Sequence, residues 1–508
     1  MQLIGEMLNN TVKAYPEKSA MIFEASAWSY VTLNKKINIL AKGLRQLAIE
    51  KGDRVMVQLK NGPEIVISHQ AIIKAGAIAV PLNVMYVAHE ITYIANDTAA
   101  KAIILDSDFL PLLEDIRSEL PALKTVIVVG DNAPEGTIPF QDLLSASEEQ
   151  NASKDADFDD IVSIIYTSGT TGRPKGATQT HRSILTSVQA MSDFNKLNHE
   201  DRLLCALPLF NNFAINVVMM SAFYTGSTLI VVDRFEAEKV LKNMTEHQAT
   251  YFAGTPTMYV YLLQAYDPST HDLKTMRVAN CGGAHCPAAL IEKVKRTFSV
   301  IFMDGYGQTE ACGFTTLNPI VGIQKPESVG VPIANVWIKI VDHNFAELPA
   351  GEIGEIVQKG DVFSVHGYWH RPEINSETYK EGWFCSGDLG YIDEDGYLYV
   401  VDRKQDLIIT GGMNIYPVEV EEVLYTHPAV ALAAVIGVPD EVKGELAKAY
   451  IVLKEGHSST EEEIIEYVRS KIAKFKAPRI VEFVNFLPQG PTGKILKREL
   501  RATLSQKE

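Results

Sequence analysis

Tyr166-Thr-Ser-Gly-Thr-Thr-Gly-Arg-Pro-Lys-Gly-Ala177 packs three glycines, four Ser/Thr hydroxyls, one Arg and one Lys into twelve residues. That mixture suits a phosphate binder. Glycines let backbone N–H groups approach an anion, hydroxyls donate to its oxygens, and Arg173 and Lys175 bring positive charge. The preceding Asp160-Ile-Val-Ser-Ile-Ile165 reads as a buried strand, so the loop sits at a strand end, where open α/β sheets bind ligands. A plain Gly/Ser/Thr surface turn has the same composition, so the rest of the chain must decide. Two familiar phosphate loops fit poorly. A Walker A loop needs Ser or Thr after its Lys, whereas Gly176 follows Lys175. The nearest dinucleotide fingerprint, Gly305-Tyr-Gly-Gln-Thr-Glu310, has Glu where the third Gly belongs.

Outward from the loop, the residues before 160 alternate helical and strand patterns, with a helix predicted over 33–47, a strand over 54–59 and a helix over 63–75. Such alternation implies parallel α/β layers. A second cycle is expected from Ile161 to about Tyr306, with strands over 228–232, 251–253 and 276–281, each followed by a helix. From Gly330 the texture changes to short strands separated by Gly, Pro and Asp turns (336–341, 354–358, 397–401), a β-rich subdomain over about 330–402. After the polar Asp402-Arg-Lys-Gln-Asp406 comes a separate α+β unit over 407–508: strand 407–409, helix 417–426, strands 430–438 and 446–453, helix 461–471 and a Lys-rich tail. The fold class is therefore α/β, a large N-terminal part of layered subdomains followed by a small C-terminal domain.

The chain has 508 residues, 46% of them hydrophobic, enough for about three domain-sized units. A net charge of −16 argues against a general nucleic-acid or anionic-membrane binder. Within it, Lys471 to Arg501 holds eight Lys/Arg against two Glu, a basic island suited to a polyanionic small molecule, although a solvated helical face has the same pattern. Five cysteines without C-x-x-C spacing indicate neither a disulfide framework nor a zinc site, and point to a reducing cytosol. The N-terminal residues lack a signal-peptide pattern. Residues 203–232 carry no charge, but Pro208, Asn211, Asn212, Asn216 and Gly226 interrupt them. A turn, a buried helix over 213–224 and a strand over 228–232 are predicted instead of a membrane span, and that helix could line an apolar pocket.

Three further segments carry chemistry. Asp304-Gly-Tyr-Gly-Gln-Thr-Glu310 offers Tyr306 to stack on a base and Glu310 to hold Mg²⁺ through oxygen. Ser386-Gly-Asp-Leu-Gly390 places Asp388 where it could accept both hydroxyls of a ribose, although an Asx turn is the commoner use of Asp beside Gly. Gly490-Pro-Thr-Gly-Lys-Ile495 puts Lys494 in a glycine-bracketed loop from which a cation could reach a phosphate. Each has a bland reading when taken alone.

Taken in order, the stretches 166–177, 207–210, 281–284, 306–310, 354–369, 383–390, 402–421 and 488–500 resemble the adenylate-forming superfamily of acyl- and aryl-CoA synthetases, luciferases and peptide-synthetase adenylation domains. The texture of Gly411-Gly-Met-Asn-Ile-Tyr-Pro-Val-Glu-Val-Glu421 and Lys474-Phe-Lys-Ala-Pro-Arg-Ile-Val-Glu482 is most similar to the fatty-acyl-CoA ligase branch. The resemblance implies attack of a carboxylate on the α-phosphorus of ATP, with Mg²⁺, to give acyl-AMP, and then displacement of AMP by the thiol of coenzyme A. It gives Thr167, Ser168, Gly169, Thr170, Thr171 and Lys175 to the β- and γ-phosphates. Gly283, Ala284, Gly305 and Tyr306 would frame the adenine, with Asp304 near its exocyclic amine. Thr309 would meet the α-phosphate, Glu310 the Mg²⁺, and Asp388 and Arg403 the ribose, while Gly411, Gly412 and the basic island would serve coenzyme A. Lys494 would bridge carboxylate and phosphate oxygens, carried by a mobile C-terminal domain that pivots over 403–406 at Gln405, where relatives carry Asp or Lys.

Departures from the pattern bear on the acid. Asn211 and Asn212 follow Phe210 where many acyl-CoA ligases have a gating His, and Gly307 stands where acetate-activating relatives carry Trp. Gly307 then leaves the pocket open, and Phe213 and Ala214 on the apolar helix supply wall. A medium- or long-chain fatty acid is expected. The alternatives are an aryl or dicarboxylic acid, an acyl-AMP ligase loading a phosphopantetheine carrier protein, or a non-catalytic nucleotide-binding relative. No nucleic acid is expected as partner; peripheral membrane contact and a homodimer stay open.

Overall fold

In a computed structural model the described residues are 2–131, 133–145, 156–167, 174–491 and 493–505. They form sheets of seven, nine, five and five strands, together with their covering helices.

The seven-stranded sheet runs, edge to edge, Ile138–Pro139, Thr125–Val129, Ala102–Asp106, Arg54–Gln58, Ile78–Pro81, Ile161–Thr167 and Lys175–Thr180. All its pairings are parallel except the last. The helix Pro63–Ala75 fits the sequence reading residue for residue, because Pro63 sets its start and Gly76, at φ +86, ends it in the left-handed region. All its residues but Glu64 are buried, which is why it reads as nearly continuous apolar sequence rather than as an amphipathic stripe.

The nine-stranded sheet follows the order Val331–Pro332, Gly313–Leu317, Ile301–Gln308, Val278–Cys281, Tyr251–Gly254, Arg202–Cys205, Thr228–Val231, Ser19–Phe23 and Ser26–Ser29. The expected second cycle beginning at Ile161 is corrected here. Ile161–Thr167 belongs to the first sheet, with Ser163 beside Ala79, while the N-terminal hairpin crosses into the second, with Met21 beside Leu229. Parallel pairing is non-local, so periodicity identified the strands without assigning them to a sheet. One continuous apolar cluster, including Ile65, Ile104, Phe223 and Phe252, runs through both sheets.

The helix predicted over 213–224 forms as two differently wound pieces, a π-helix over Phe213–Met220 continued by an α-helix over Ser221–Thr225. No helix among the described residues is long and apolar enough to cross a membrane.

The β-rich texture corresponds to an antiparallel sheet of Val336–Val341, Gly354–Gly360, Trp383–Ile392, Tyr379–Lys380 and Leu398–Arg403. The last sheet comprises Met413–Ile415, Ile408–Thr410, Gly444–Leu453, Val430–Asp440 and Ile480–Phe483, with its own core that includes Ile408, Val435 and Ile464. What read as a Lys-rich tail contains both Ile480–Phe483, parallel to Gly444–Leu453, and the helix Lys497–Ser505. Only Val481 of Ile480–Phe483 is buried, so four residues carried little periodic signal.

Candidate active site

A cleft of about 1060 Å³ opens between residues of three sheets and of the C-terminal unit. Thr167 and Lys175 reach it from the first sheet, Gly307, Thr309 and Glu310 from the second, Asp388 and Arg403 from the third, and Lys494 from the C-terminal unit. Residues 327 positions apart (494 − 167) thus share one cavity. Thr167 and Lys175 are register partners on antiparallel strands, so Lys175 opens a strand rather than a helix. This topology explains why the Walker A spacing is absent. Ser168, Gly169, Thr170, Thr171 and Arg173 lie outside the described residues.

Asp388 and Arg403 are register partners on adjacent antiparallel strands, with Arg403 Nε 3.4 Å from Asp388 Oδ1. The other carboxylate oxygen accepts from the Tyr306 hydroxyl at 2.6 Å and from Gln308 Nε2 at 3.2 Å. Asp388 is only 5% exposed, and its backbone N–H donates to Ser386 Oγ at 3.0 Å. Its orientation is therefore fixed from both sides. The Tyr306 ring packs on the core of Ile340, Ile356 and Leu398, and burial followed by the Asp388 charge holds its phenol protonated. Gly283 lines the cleft; Ala284, Asp304, Gly305 and Tyr306 are not among its lining residues, although the Tyr306 hydroxyl reaches the lining residue Asp388. Asp304 is 5% exposed, Oδ1 has no hydrogen-bond partner among the described residues, and burial pushes its carboxyl up to about 8.

Lys494 sits on a tight turn closed by Gly490 N–H donating to the Lys494 carbonyl and Gly493 N–H to the Gly490 carbonyl, both at 2.8 Å. Burial, followed by the nearby Arg403 guanidinium, lowers its ammonium to about 8. The turn rests on the large N-terminal part through Thr257, whose hydroxyl donates to the Gly493 carbonyl. Gln405 lines the same cleft, while its neighbour Asp406 is held by Arg501 at 2.7 Å. Gly411 and Gly412 lie elsewhere, exposed in the turn between Ile408–Thr410 and Met413–Ile415, both with positive φ.

Glu310 has a partner that no motif pointed to. The Tyr368 hydroxyl donates to Glu310 Oε1 at 2.5 Å, and the same ring lies 5.6 Å from Lys175 Nζ. Tyr368 is in turn fixed beside the strand Lys175–Thr180 by a bridge to Ala177 and by Trp369 N–H donating to the Gly176 carbonyl at 2.8 Å. Burial raises the Glu310 carboxyl, although the Tyr368 hydrogen bond opposes it. The only trace in the sequence was that Tyr368 falls inside the 354–369 stretch of the resemblance.

At the other end of the cleft, Phe210, Asn211, Asn212, Phe213, Val217 and Phe314 form the wall, with Phe213 and Phe314 edge to face at 5.3 Å. Ala214 is fully buried behind it. Asn211 Oδ1 accepts from Phe213 N–H at 2.9 Å, an Asx-type turn just before the helix, and the residue itself lines the cleft. Asn212 Oδ1 accepts from Gln179 Nε2 and from Asn216 Nδ2, both at 2.7 Å, and Gln179 Nε2 also donates to the Thr309 carbonyl at 2.9 Å. This buried amide network ties the acid end to Thr309. Gly307 does not leave open space. A Cβ there would lie 2.0 Å from the Gly313 carbonyl oxygen and 2.6 Å from Phe314 Cα, so the neighbouring strand already fills that volume.

Comparison with known proteins converges on one family. The model for "AMP-binding enzyme" matches residues 8–369, and that for "AMP-binding enzyme C-terminal domain" matches 419–494. The chain is 32% identical to a long-chain-fatty-acid–CoA ligase of Bacillus subtilis over 98% of its own length and 94% of that protein. It is 35% identical to a feruloyl-CoA synthase of Amycolatopsis, covering 98% of this chain and 99% of the other. The crystal structure of the anthranilate CoA ligase AuaEII with anthranoyl-AMP superposes with a TM-score of 0.93 at 31% identity, covering 100% of this chain and 98% of that one.

Proposed function

Because the chain belongs to the AMP-binding enzymes, we propose that it joins a carboxylic acid to coenzyme A at the expense of ATP, by way of an acyl-adenylate. The observation that carries this reading is the meeting of Lys494, Arg403, Asp388, Glu310 and Lys175 in one cleft. In the first half-reaction a carboxylate oxygen bonds to the α-phosphorus and the bond to the β-phosphate oxygen breaks, releasing pyrophosphate. In the second, the thiol sulfur bonds to the acyl carbon, its proton leaves to solvent, and the acyl–phosphate bond breaks to release AMP.

The residues divide this work. Thr167 and Lys175, with Ser168, Gly169, Thr170 and Thr171 of the same loop, would offset charge on the departing pyrophosphate. Asp388, held by Tyr306 and Gln308, would accept from the ribose hydroxyls, and Arg403 would support it. Gly283 and Ala284 would frame the base, and the unpartnered oxygen of Asp304 suits an exocyclic amine. Lys494 would neutralise carboxylate and α-phosphate oxygens together, and Thr309 would touch the same phosphate. Glu310, an oxygen donor oriented by Tyr368, fits Mg²⁺, which supplies charge neutralisation of the phosphates when bound. For the second half-reaction the unit 407–508 would turn about Gln405, bringing the exposed Gly411-Gly412 turn toward coenzyme A.

For the acid, the apolar wall of Phe213, Val217 and Phe314 suits a medium- or long-chain fatty acid, each buried methylene contributing about 0.8 kcal/mol. The edge-to-face Phe213–Phe314 pair favours a second reading, a flat aryl acid stacked in the same slot. AMP formation with ATP, Mg²⁺ and coenzyme A across C2 to C18 acids, benzoate and coumarate separates the two. A maximum at acetate overturns both, and dependence on a carrier protein in place of coenzyme A overturns the ligase assignment.

A further inference from the structure

Cys281 ends the strand Val278–Cys281, and Cys286 precedes the helix Ala288–Phe298. Between them Gly283 turns the chain through φ +82, and Gly282 lies so close to Phe314 that a Cβ would sit 2.5 Å from its ring, so the return path is tightly defined. The turn brings the second cysteine back beside the first. On the adjacent strand Ile301–Gln308, Asp304 is the register partner of Cys281. One ligand atom each from Cys281, Cys286 and Asp304 all lie within 4.8 Å of one another. The three residues are 0%, 2% and 5% exposed.

Buried cysteines usually pack as small apolar side chains. What sets this pair apart is the carboxylate beside it. Asp304 Oδ1 is buried without a hydrogen-bond partner among the described residues, an arrangement that leaves a strong acceptor unused unless something occupies it. His285, which lies between the cysteines in sequence, has Nε2 2.9 Å from Glu422 Oε1 and is engaged there.

We propose that Cys281, Cys286 and Asp304 form a binding site for a thiophilic divalent cation of the Zn²⁺ class, built into the back of the nucleotide cleft. Two sulfurs and one carboxylate oxygen match the donors that Zn²⁺ prefers, and bonds of about 2.3 Å to sulfur and about 2.1 Å to oxygen require only a small contraction of the cluster. The fourth position is left to water. Binding forms two metal–sulfur bonds and one metal–oxygen bond, and the protons of the two thiols, with that of Asp304 when it carries one, leave to solvent. Access runs past Gly283, which lines the cleft and where an added Cβ would meet only Thr255 Cγ2 at 3.8 Å. A consequence rests on the function proposed above: the metal engages Asp304 and stiffens the Gly282-Gly283-Ala284 loop, so metal and adenine exclude each other.

The test uses the full chain, reduced and metal-free, titrated with Co²⁺ and then displaced with Zn²⁺, following thiolate-to-cobalt charge-transfer absorption. One equivalent is expected. Cys286→Ser and Asp304→Asn are each expected to weaken binding at least tenfold, and Cys385→Ser to leave it unchanged. Absence of the absorption band, or a band lost with Cys385→Ser and kept with Cys286→Ser, overturns the site. X-ray absorption of the wild-type zinc complex keeps the question decidable if a variant does not fold: two sulfurs at about 2.3 Å support the site, and one or none overturns it. Separately, an acyl-sulfamoyl adenosine should weaken Co²⁺ binding at least tenfold. Unchanged binding in that arm overturns the antagonism and the placement of adenine against Asp304, while the metal site stands.

Discussion

Thr257, in the first turn of the helix Pro256–Ala265, donates its hydroxyl at 2.9 Å to the carbonyl of Gly493, the residue before Lys494. Gly493 has φ +78, and a Cβ there would lie 3.3 Å from Thr255 Oγ1, so the turn seats closely on the large N-terminal part. Lys494 is thereby presented to the cleft by contacts that involve backbone rather than its own flexible side chain.

From this placement, Lys494→Ala is expected to lower carboxylate-dependent ATP–pyrophosphate exchange by roughly 10²- to 10³-fold. Thioester formation from supplied acyl-AMP should fall only a few-fold. Comparison of the two half-reactions checks it, and equal losses would remove the adenylation role from Lys494.

The same side chain sets a pH limit. Its ammonium is lowered to about 8, so it is charged below that pH and neutral above it. The kcat/KM for ATP in the adenylation step should therefore fall as pH rises through about 8. Lys494→Arg should lose this limb, because a guanidinium stays charged throughout. A wild-type limb that persists unchanged in the Arg variant belongs to another group.

Tyr368→Phe removes the hydroxyl that orients Glu310. Loss of such an outer partner typically weakens a metal site about 10- to 100-fold. Half-saturation by Mg²⁺ in AMP formation should rise by that factor, and Mg²⁺ titrations identical in variant and wild type would count against Glu310 as its holder.

Gly307→Ala forces a methyl against the Gly313 carbonyl and the Phe314 backbone. Overpacking of this kind costs about 1–3 kcal/mol. Thermal melts should shift down while the preference across acid chain lengths stays in place. A shortened chain-length optimum with full stability would restore Gly307 as the determinant of pocket depth.

Burial raises the Asp304 carboxyl from 3.8 to about 8. Between those values the folded protein keeps a proton that the unfolded chain releases, so the stability of the wild type falls as pH rises through the window and levels off above it. Asp304→Asn does not titrate. Its melting temperature relative to wild type should climb from pH 4 to about 8, and a difference independent of pH would contradict the shift.

Elements bounded by local signals were legible in the sequence. The helix over 63–75 was read at its observed bounds, and the Gly, Pro and Asp turns after 330 announced short strands. The sheet to which Ile161–Thr167 belongs was not legible, because Ser163 pairs with Ala79 far earlier in the chain. Of the residues that the resemblance named, Thr167, Lys175, Gly283, Thr309, Glu310, Asp388, Arg403 and Lys494 line one cleft, whereas Gly411 and Gly412 lie elsewhere, and the resemblance carried no information on Tyr368 as the partner of Glu310, 58 residues apart. Gly307 was misread because a missing side chain looks like space until the neighbouring strand, here Gly313–Leu317, is present to fill it. Asn211 stands where many acyl-CoA ligases have a gating His, and the contact of its Oδ1 with the backbone N–H two residues on had no counterpart in the sequence reading.

The N-terminal hairpin has its parallel partner in Thr228–Val231, with Met21 beside Leu229, 208 residues later (229 − 21). On a ribosome adding roughly 5–20 residues per second, the edge of Ser19–Phe23 waits roughly 10–40 s before its partner emerges. An unpaired strand edge over that interval is open to wrong neighbours. Ser19–Phe23 thus precedes its parallel partner by 208 residues, so nascent chains have reason to be shielded at this strand until Thr228–Val231 has emerged.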